Sequence, residues 1–274
     1  MKLKWQIELS SENSSPEDFN CQPFIISDKI YFAYKEIDKE VINKNGTYSI
    51  KLHLLQVHQE SGVMNSSLFQ FHNNETYKRK VEASSLWQFQ ELKNGLSIDI
   101  GITLNTLSGQ VLLESNLRPK RVKIQNSYEF GDFHLKYNQR STLSYHDGSN
   151  VEKWKISMIG YLYTPIVRKD NFLHWGTAGK GGAFYFVDHP TGNIITEFNN
   201  GDASNYIFIG ENVLLQSKDG NLIQLNPQSG QVISELELTG KLMLSKISLF
   251  DKRAWVVSHD LINKKAFLNL INIG

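Results

Sequence analysis

The chain holds one cysteine, Cys21, among 274 residues, so no disulfide can form within it. A reducing compartment suits such a chain. Long apolar runs are missing too: nothing approaches the ~18 consecutive apolar residues that cross a bilayer. The opening MKLKWQIEL starts like a secretory leader, but its apolar residues alternate with Gln6 and Glu8 and leave no continuous apolar stretch. The expectation is a soluble cytoplasmic protein with no membrane partner. The Asn-x-Ser/Thr triplets at Asn45, Asn65 and Asn74 carry no weight without an export signal. An excess of either charge is also absent. With 29 Lys and Arg against 28 Asp and Glu, the net charge of +1 offers no global field to gather nucleic acid. Helical periodicity is confined to 35–47, where Ile37, Val41 and Ile42 would share one side of a short helix.

What the chain does have is a repeat. LLQVHQESG (54–62) returns as GITLNTLSG (101–109), FYFVDHPTG (184–192) and LIQLNPQSG (222–230), with shorter forms in TLSYHDG (142–148) and FLNLINIG (267–274). The closing glycines, Gly62, Gly109, Gly148, Gly192, Gly230 and Gly274, are about forty residues apart, the length of one four-stranded propeller blade. Upstream of each glycine lies a second β-rich run: IYFAYK (30–35), LWQFQEL (86–92), FHLKYN (133–138), FLHWGT (172–177), VLLQSK (213–218) and AWVVSH (254–259). Turn residues and an inner run precede it, such as QPFIIS (22–27), YTPIVR (163–168), NYIFIG (205–210) and KISLF (246–250), with 79–85 taken for the second unit. An outer run follows the glycine, as in EKWKIS (152–157) or IITEF (194–198).

These units predict an all-β β-propeller of six four-stranded blades. Seven is the alternative if the long first unit hides another. The sixth glycine has no outer run after it. KLKWQIELS (2–10) resembles VEKWKIS (151–157), and its Leu3, Trp5, Ile7 and Leu9 alternate with polar residues as in a half-buried strand. The chain is therefore read as one domain over 1–274, with residues 2–10 completing the last blade and closing the ring.

Residues 213–238, VLLQSKDGNLIQLNPQSGQVISELEL, resemble the repeat of PQQ-like (quinoprotein-type) β-propellers, and so do 175–198 and the tryptophans of EKWKIS and KWQIEL. The resemblance implies the architecture. The quinone-dependent enzymes of that family use eight blades with quinone and calcium ligands, none of which can be placed on this chain, so no cofactor is carried over.

No motif amounts to a catalytic site. Gly176–Gly182, GTAGKGG, lacks the first glycine of a phosphate loop, the Ser or Thr after Lys180, and a following helix. Ser258, His259 and Asp260 are adjacent on a strand and point to alternating faces, so they form no relay by themselves. His53 and His58 fall on opposite faces of one strand. His134, His174 and His259 occupy second strands, and no metal site is assigned.

Basic clusters at 78–80 and 118–123 lack interleaved aromatics, which argues against single-stranded nucleic acid. In alternating strands, the outer-to-inner and second-to-third connections emerge at one end. The longest polar loops collect there, and Glu36, Asp38, Glu40, Lys78, Arg79, Lys80, Asp202 and Asp219 are the candidate contacts for a protein partner. The function expected is non-enzymatic protein binding, with an immunity-type inhibitor of a cognate toxin as one form. A hydrolase or lactonase acting in a central channel, and a lectin-like ligand-binding propeller, are the alternatives.

Overall fold

The computed structural model describes residues 1–10, 23–38, 49–71, 88–92, 95–99, 103–105, 111–113, 126–131, 133–138, 141–179, 181–201, 205–217, 220–240, 247–260 and 262–274. Every regular element among them is a β-strand. The strands form six antiparallel sheets.

Strand β1 (Lys2–Ser10) belongs to a sheet completed near the other end of the chain. Then come β2 (Phe24–Ile26), β3 (Lys29–Asp38), β4 (Ser49–His58) and β5 (Met64–Phe71) in one sheet, and β6 (Gln88–Leu92), β7 (Gly95–Asp99), β8 (Thr103–Asn105) and β9 (Val111–Leu113) in the next. The third sheet is β10 (Ser127–Glu129), β11 (Phe133–Asn138), β12 (Thr142–Asp147) and β13 (Glu152–Ser157). The fourth has a divided inner strand, β14 (Tyr161–Leu162) and β15 (Val167–Lys169), both pairing β16 (Phe172–Ala178), followed by β17 (Gly182–Asp188) and β18 (Ile194–Gly201). The fifth is β19 (Tyr206–Ile209), β20 (Asn212–Gln216), β21 (Leu222–Leu225) and β22 (Val232–Leu236). In the last, β23 (Ser248–Phe250), β24 (Arg253–Asp260) and β25 (Lys265–Asn272) are followed by β1, which runs antiparallel to β25 from Lys2↔Asn272 to Ser10↔Lys265.

Three expectations are corrected. Residues 35–38 are not part of a loop or helix: β3 runs on to Asp38, because Lys35–Asp38 pair with Ser49–Leu52 and extend the hairpin ladder. The rest of that insertion, 39–48, lies outside the described residues, as does the inner run expected at 79–85. In the second sheet 88–92 is the inner strand and Gly95–Asp99 the second, since Gln88–Leu92 close a hairpin with Gly95–Asp99. In the third sheet the left-handed residue of the turn is Asn150 (φ 60°), not Gly148. That turn is one residue shorter than its counterparts and closes by Asn150 N–H donating to Asp147 O at 2.8 Å; asparagine tolerates the left-handed region.

The described residues group into two compact units. One is Lys120–Leu238 and the other joins Lys2–Pro119 to Thr239–Gly274. In the first, the sheet of β14–β18 is apolar on both faces. Ala183, Tyr185 and Val187 of β17 pack with Phe133, Leu135, Leu143 and Trp175, while Phe184 and Phe186 pack with Val213, Leu215, Ile223 and Leu225. A strand covered on both faces reads as a continuous apolar run, and AFYFV is one. In the second unit, Leu9, Trp255, Leu268 and Leu270 share a core with Ile30, Phe32, Leu52 and Val57.

One contact joins successive sheets within each unit. The outer strand of one sheet reaches the turn between the third and fourth strands of the next. Trp5 Nε1 donates to Gln59 O at 3.0 Å, Trp154 Nε1 to His189 O at 2.9 Å, and Thr196 Oγ1 to Pro227 O at 2.6 Å. Each turn ends in a glycine at φ near 70°, Gly62, Gly192 or Gly230. The two indoles lie flat on Gly62 and Gly192, where a Cβ would meet the ring at 3.1 Å and 2.4 Å. The glycine of the repeat therefore serves the turn's left-handed backbone and the tryptophan's seat together.

Candidate functional site

Between β13 and β15 the chain does something the repeat does not require. The segment 158–166 alternates buried Met158, Leu162 and Ile166 with exposed Ile159, Tyr161 and Tyr163. Leu162 fills the core while the tyrosines stand out at 53% and 55% exposure. Pro165 follows and can supply no N–H, and the inner strand breaks between Leu162 and Val167.

The backbone beneath the two rings is held at nearly every polar group. Ile159 N–H donates to Tyr185 Oη at 2.7 Å, and Thr177 Oγ1 donates to Ile159 O at 2.6 Å. Ser141 Oγ donates to Gly160 O, and Leu162 N–H to Tyr137 Oη at 3.1 Å. Tyr163 and Thr164 N–H both donate to Gly176 O, and Gly176 N–H returns a bond to Thr164 Oγ1 at 2.7 Å. A Cβ on Gly160 would sit 2.5 Å from Ala178 O, so only glycine allows this approach. Burial raises the Tyr185 hydroxyl above its ordinary pKa, against the opposing pull of the Ile159 N–H bond. Tyr161 lies against Gly179, and Ile159 against Gly181, of the β16–β17 hairpin. Rigid backbone under exposed aromatic rings is an arrangement suited to binding, because little conformational freedom remains to be lost on association.

The strand direction places this surface at the same end of its sheet as the 178–181 hairpin, the end expected to carry recognition loops. Of the candidate contacts, Glu36 is described with its side chain. It lies in β3, half-buried, with its carboxylate 3.1 Å from His53 Nε2, while His53 stacks on Tyr34 at 4.4 Å. Burial, reinforced by the Glu36 charge, pushes Tyr34 up to about 12, and burial lowers His53 against the opposing pull of Glu36. Asp38 is described through its backbone as the last residue of β3. Glu40, Lys78, Arg79, Lys80, Asp202 and Asp219 lie outside the described residues. Tyr161 and Tyr163 were missed because YTPIVR reads as an ordinary inner strand. The signal was Tyr-Leu-Tyr before Thr-Pro, two large aromatics on one face of a strand ending at a proline.

The chemical motifs find structural roles. Of GTAGKGG, Gly176–Ala178 end β16 and Gly182 begins β17, with Gly182 N–H donating to Gly179 O at 3.0 Å. Ser258 Oγ donates to Thr239 O and accepts from Asn269 Nδ2. Asp260 accepts from the backbone of Ile262 and Asn263. His174 is buried against Phe208 and bonds Tyr206 Oη through Nδ1 at 3.0 Å; burial lowers it to about 4 and raises Tyr206 to about 12.

No family model matches the sequence, and no curated protein matches it. Among solved structures the chain is similar to BamB from Moraxella catarrhalis, at 12% identity over 98% of this chain and 99% of that one, with a TM-score of 0.41. It is similar to the computationally designed Ika8 protein, at 11% identity over 92% of this chain and 70% of that one, with a TM-score of 0.41. It is also similar to Sqt1 of Saccharomyces cerevisiae, at 12% identity over 90% of this chain and 69% of that one, with a TM-score of 0.37. With TM-scores below 0.5, these likenesses assign neither family nor activity.

Proposed function

We propose that this chain is a non-enzymatic protein-binding β-propeller of the PQQ-like repeat type. In this reading its six blades close into one ring, and it binds a folded cytoplasmic partner at the end that carries Tyr161 and Tyr163. The observation that carries the reading is the fixed backbone of 159–164 holding two half-exposed tyrosines. Tyrosine is enriched in interfaces because it offers a large rigid surface with a polar tip. The succession of antiparallel sheets supports the ring, and at three places within the units an outer-strand residue docks on the next sheet's turn. An immunity-type inhibitor is one form of this reading, and an adaptor is the other.

The test compares capture from native lysate by the wild type and by Tyr161→Ala/Tyr163→Ala. A stoichiometric partner is expected with the wild type and at least tenfold less with the double variant, whose melting temperature should not change, as exposed side chains contribute little to stability. A partner retained in full by the double variant refutes this site. Reconstitution then separates the two forms, since an inhibitor abolishes its partner's activity and an adaptor leaves it intact.

A further inference from the structure

The sheet of β10–β13 differs from its neighbour β14–β18 in having one apolar face and one polar face. Phe133, Leu135, Leu143 and Ile156 enter the core. The opposite face carries a continuous row across all four strands. Glu129 pairs His134, His134 pairs His146, and His146 pairs Glu152 beyond a bulge in β13. Register partners in an antiparallel sheet share a face, so two imidazoles stand side by side with a carboxylate at each end of the row.

The side chains agree with the register. The His134 and His146 rings stack with centroids 5.1 Å apart and planes 12° from parallel. His134 Nε2 lies 3.2 Å from Asn150 Oδ1; His146 Nδ1 lies 3.5 Å from Asn150 O, and its Nε2 lies 3.0 Å from Ser144 Oγ. Asn150 is fixed by its left-handed backbone and by its N–H donating to Asp147 O. Neutral imidazole is the commonest side-chain ligand of first-row transition metals, and carboxylate and amide oxygens complete such shells. A metal needs each nitrogen within about 2.0–2.1 Å, so the two stacked rings must turn from their present pose to converge on it; His134 is partly exposed and His146 is buried at 9% exposure. Glu129 and Glu152 are exposed and free to turn inward, although among the described residues no three His, Cys, Asp or Glu side chains already stand close enough to hold an ion.

We propose that His134 and His146 form a cross-strand chelate for a divalent first-row transition-metal ion, completed by Asn150 or by Glu129 and Glu152. The site is separate from the tyrosine surface and does not depend on it. Lys136 opposes the ion. Its ammonium lies 2.8 Å from Asn150 Oδ1, and it weakens the site without forbidding it, as the side chain is exposed and can swing away.

The experiment titrates Zn²⁺ alone, and separately Ni²⁺ alone, into the full chain by isothermal calorimetry, with imidazole nitrogens followed by ¹H–¹⁵N NMR. One ion per chain is expected, with the His134 and His146 nitrogens shifting together. His134→Asn and His146→Asn should each weaken binding tenfold or more, His53→Asn should leave it unchanged, and Lys136→Gln should tighten it. His134 is the more exposed of the pair, so His134→Asn keeps the test valid if the partner variant misfolds. Absence of binding at millimolar Zn²⁺, or binding that survives His134→Asn or falls equally in His53→Asn, overturns the proposal.

Discussion

Gly192 and Gly210 offer a measurement that separates two costs at a glycine. Both have a left-handed backbone, at φ 72° and 58°. An alanine there pays the left-handed strain of an L-residue, about 1–2 kcal/mol. Around Gly210 a new Cβ meets nothing within 4 Å. At Gly192 it meets Trp154 at 2.4 Å from Cγ and 2.6 Å from Cδ2. That ring cannot step aside cheaply, because its Nε1 holds His189 O and its face stacks on Tyr145 at 5.2 Å. Overpacking of this kind adds about 1–3 kcal/mol. Gly210→Ala is therefore expected to cost about 1 kcal/mol and Gly192→Ala about 3 kcal/mol. In a chain of this size each kcal/mol lowers Tm by about 2–4 °C, so the two variants should separate by roughly 4–8 °C in a thermal scan, and urea midpoints should order the same way. A double-mutant cycle completes the test: in a Trp154→Ala background the ring is gone, and Gly192→Ala should cost no more than Gly210→Ala. Equal costs for the two glycine variants, or an undiminished cost in the Trp154→Ala background, would refute the account of the glycine as a seat for the indole.

Two further outcomes follow from residues already placed. Trp5→Ala removes an indole that covers Gly62, bonds Gln59 O and meets Trp255 edge-on at 5.4 Å; half-buried, it should cost about 2–3 kcal/mol, read as a lower urea midpoint with unchanged far-UV dichroism, and an unchanged midpoint would show that β1 docks without it. His174 is held to about 4 when folded against 6.5 as a free side chain, so the unfolded chain binds the extra proton between those values and stability must fall as pH drops from 6.5 through 4, by about 3 kcal/mol in all. His174→Gln should flatten urea midpoints across that window, and a slope as steep as in the wild type would place the acid sensitivity elsewhere.

The strands were legible where one side chain pattern had one explanation. FHLKYN and TLSYHD alternate because one face enters a core and the other does not, and the Ser/Thr-Gly endings mark turns whose left-handed residue only glycine fills cheaply. The turn at Asn150 was misread because Gly148 is the conspicuous residue of DGSN, while the left-handed position lies two places beyond it, at Asn150. The extension of β3 through Glu36–Asp38 was hidden because a charged sequence favours a loop by composition, and only the facing Ser49–Leu52 ladder decides otherwise. The tyrosine surface was illegible for a different reason. Alternation in YLYTPIV gives the side each ring takes, but exposure depends on what lies opposite. The sequence contains no statement that Tyr137 and Tyr185 would spend their hydroxyls holding the backbone beneath.

The pairing of β1 with β25 also sets a timetable. Lys2 meets Asn272, so during synthesis β1 waits for β25, on the order of 10–50 s at ordinary rates. Meanwhile Leu9 and its apolar neighbours have no ladder to join, and an unpaired, alternating strand is a template for another chain. The segment Lys120–Leu238 has no such wait, since its sheets are built from one uninterrupted stretch. The order of assembly is thus written into the topology: the continuous unit can condense during synthesis, and the discontinuous one finishes only once β25 has been made, after the loop-closure entropy of the span 2–272 has been met in a single step.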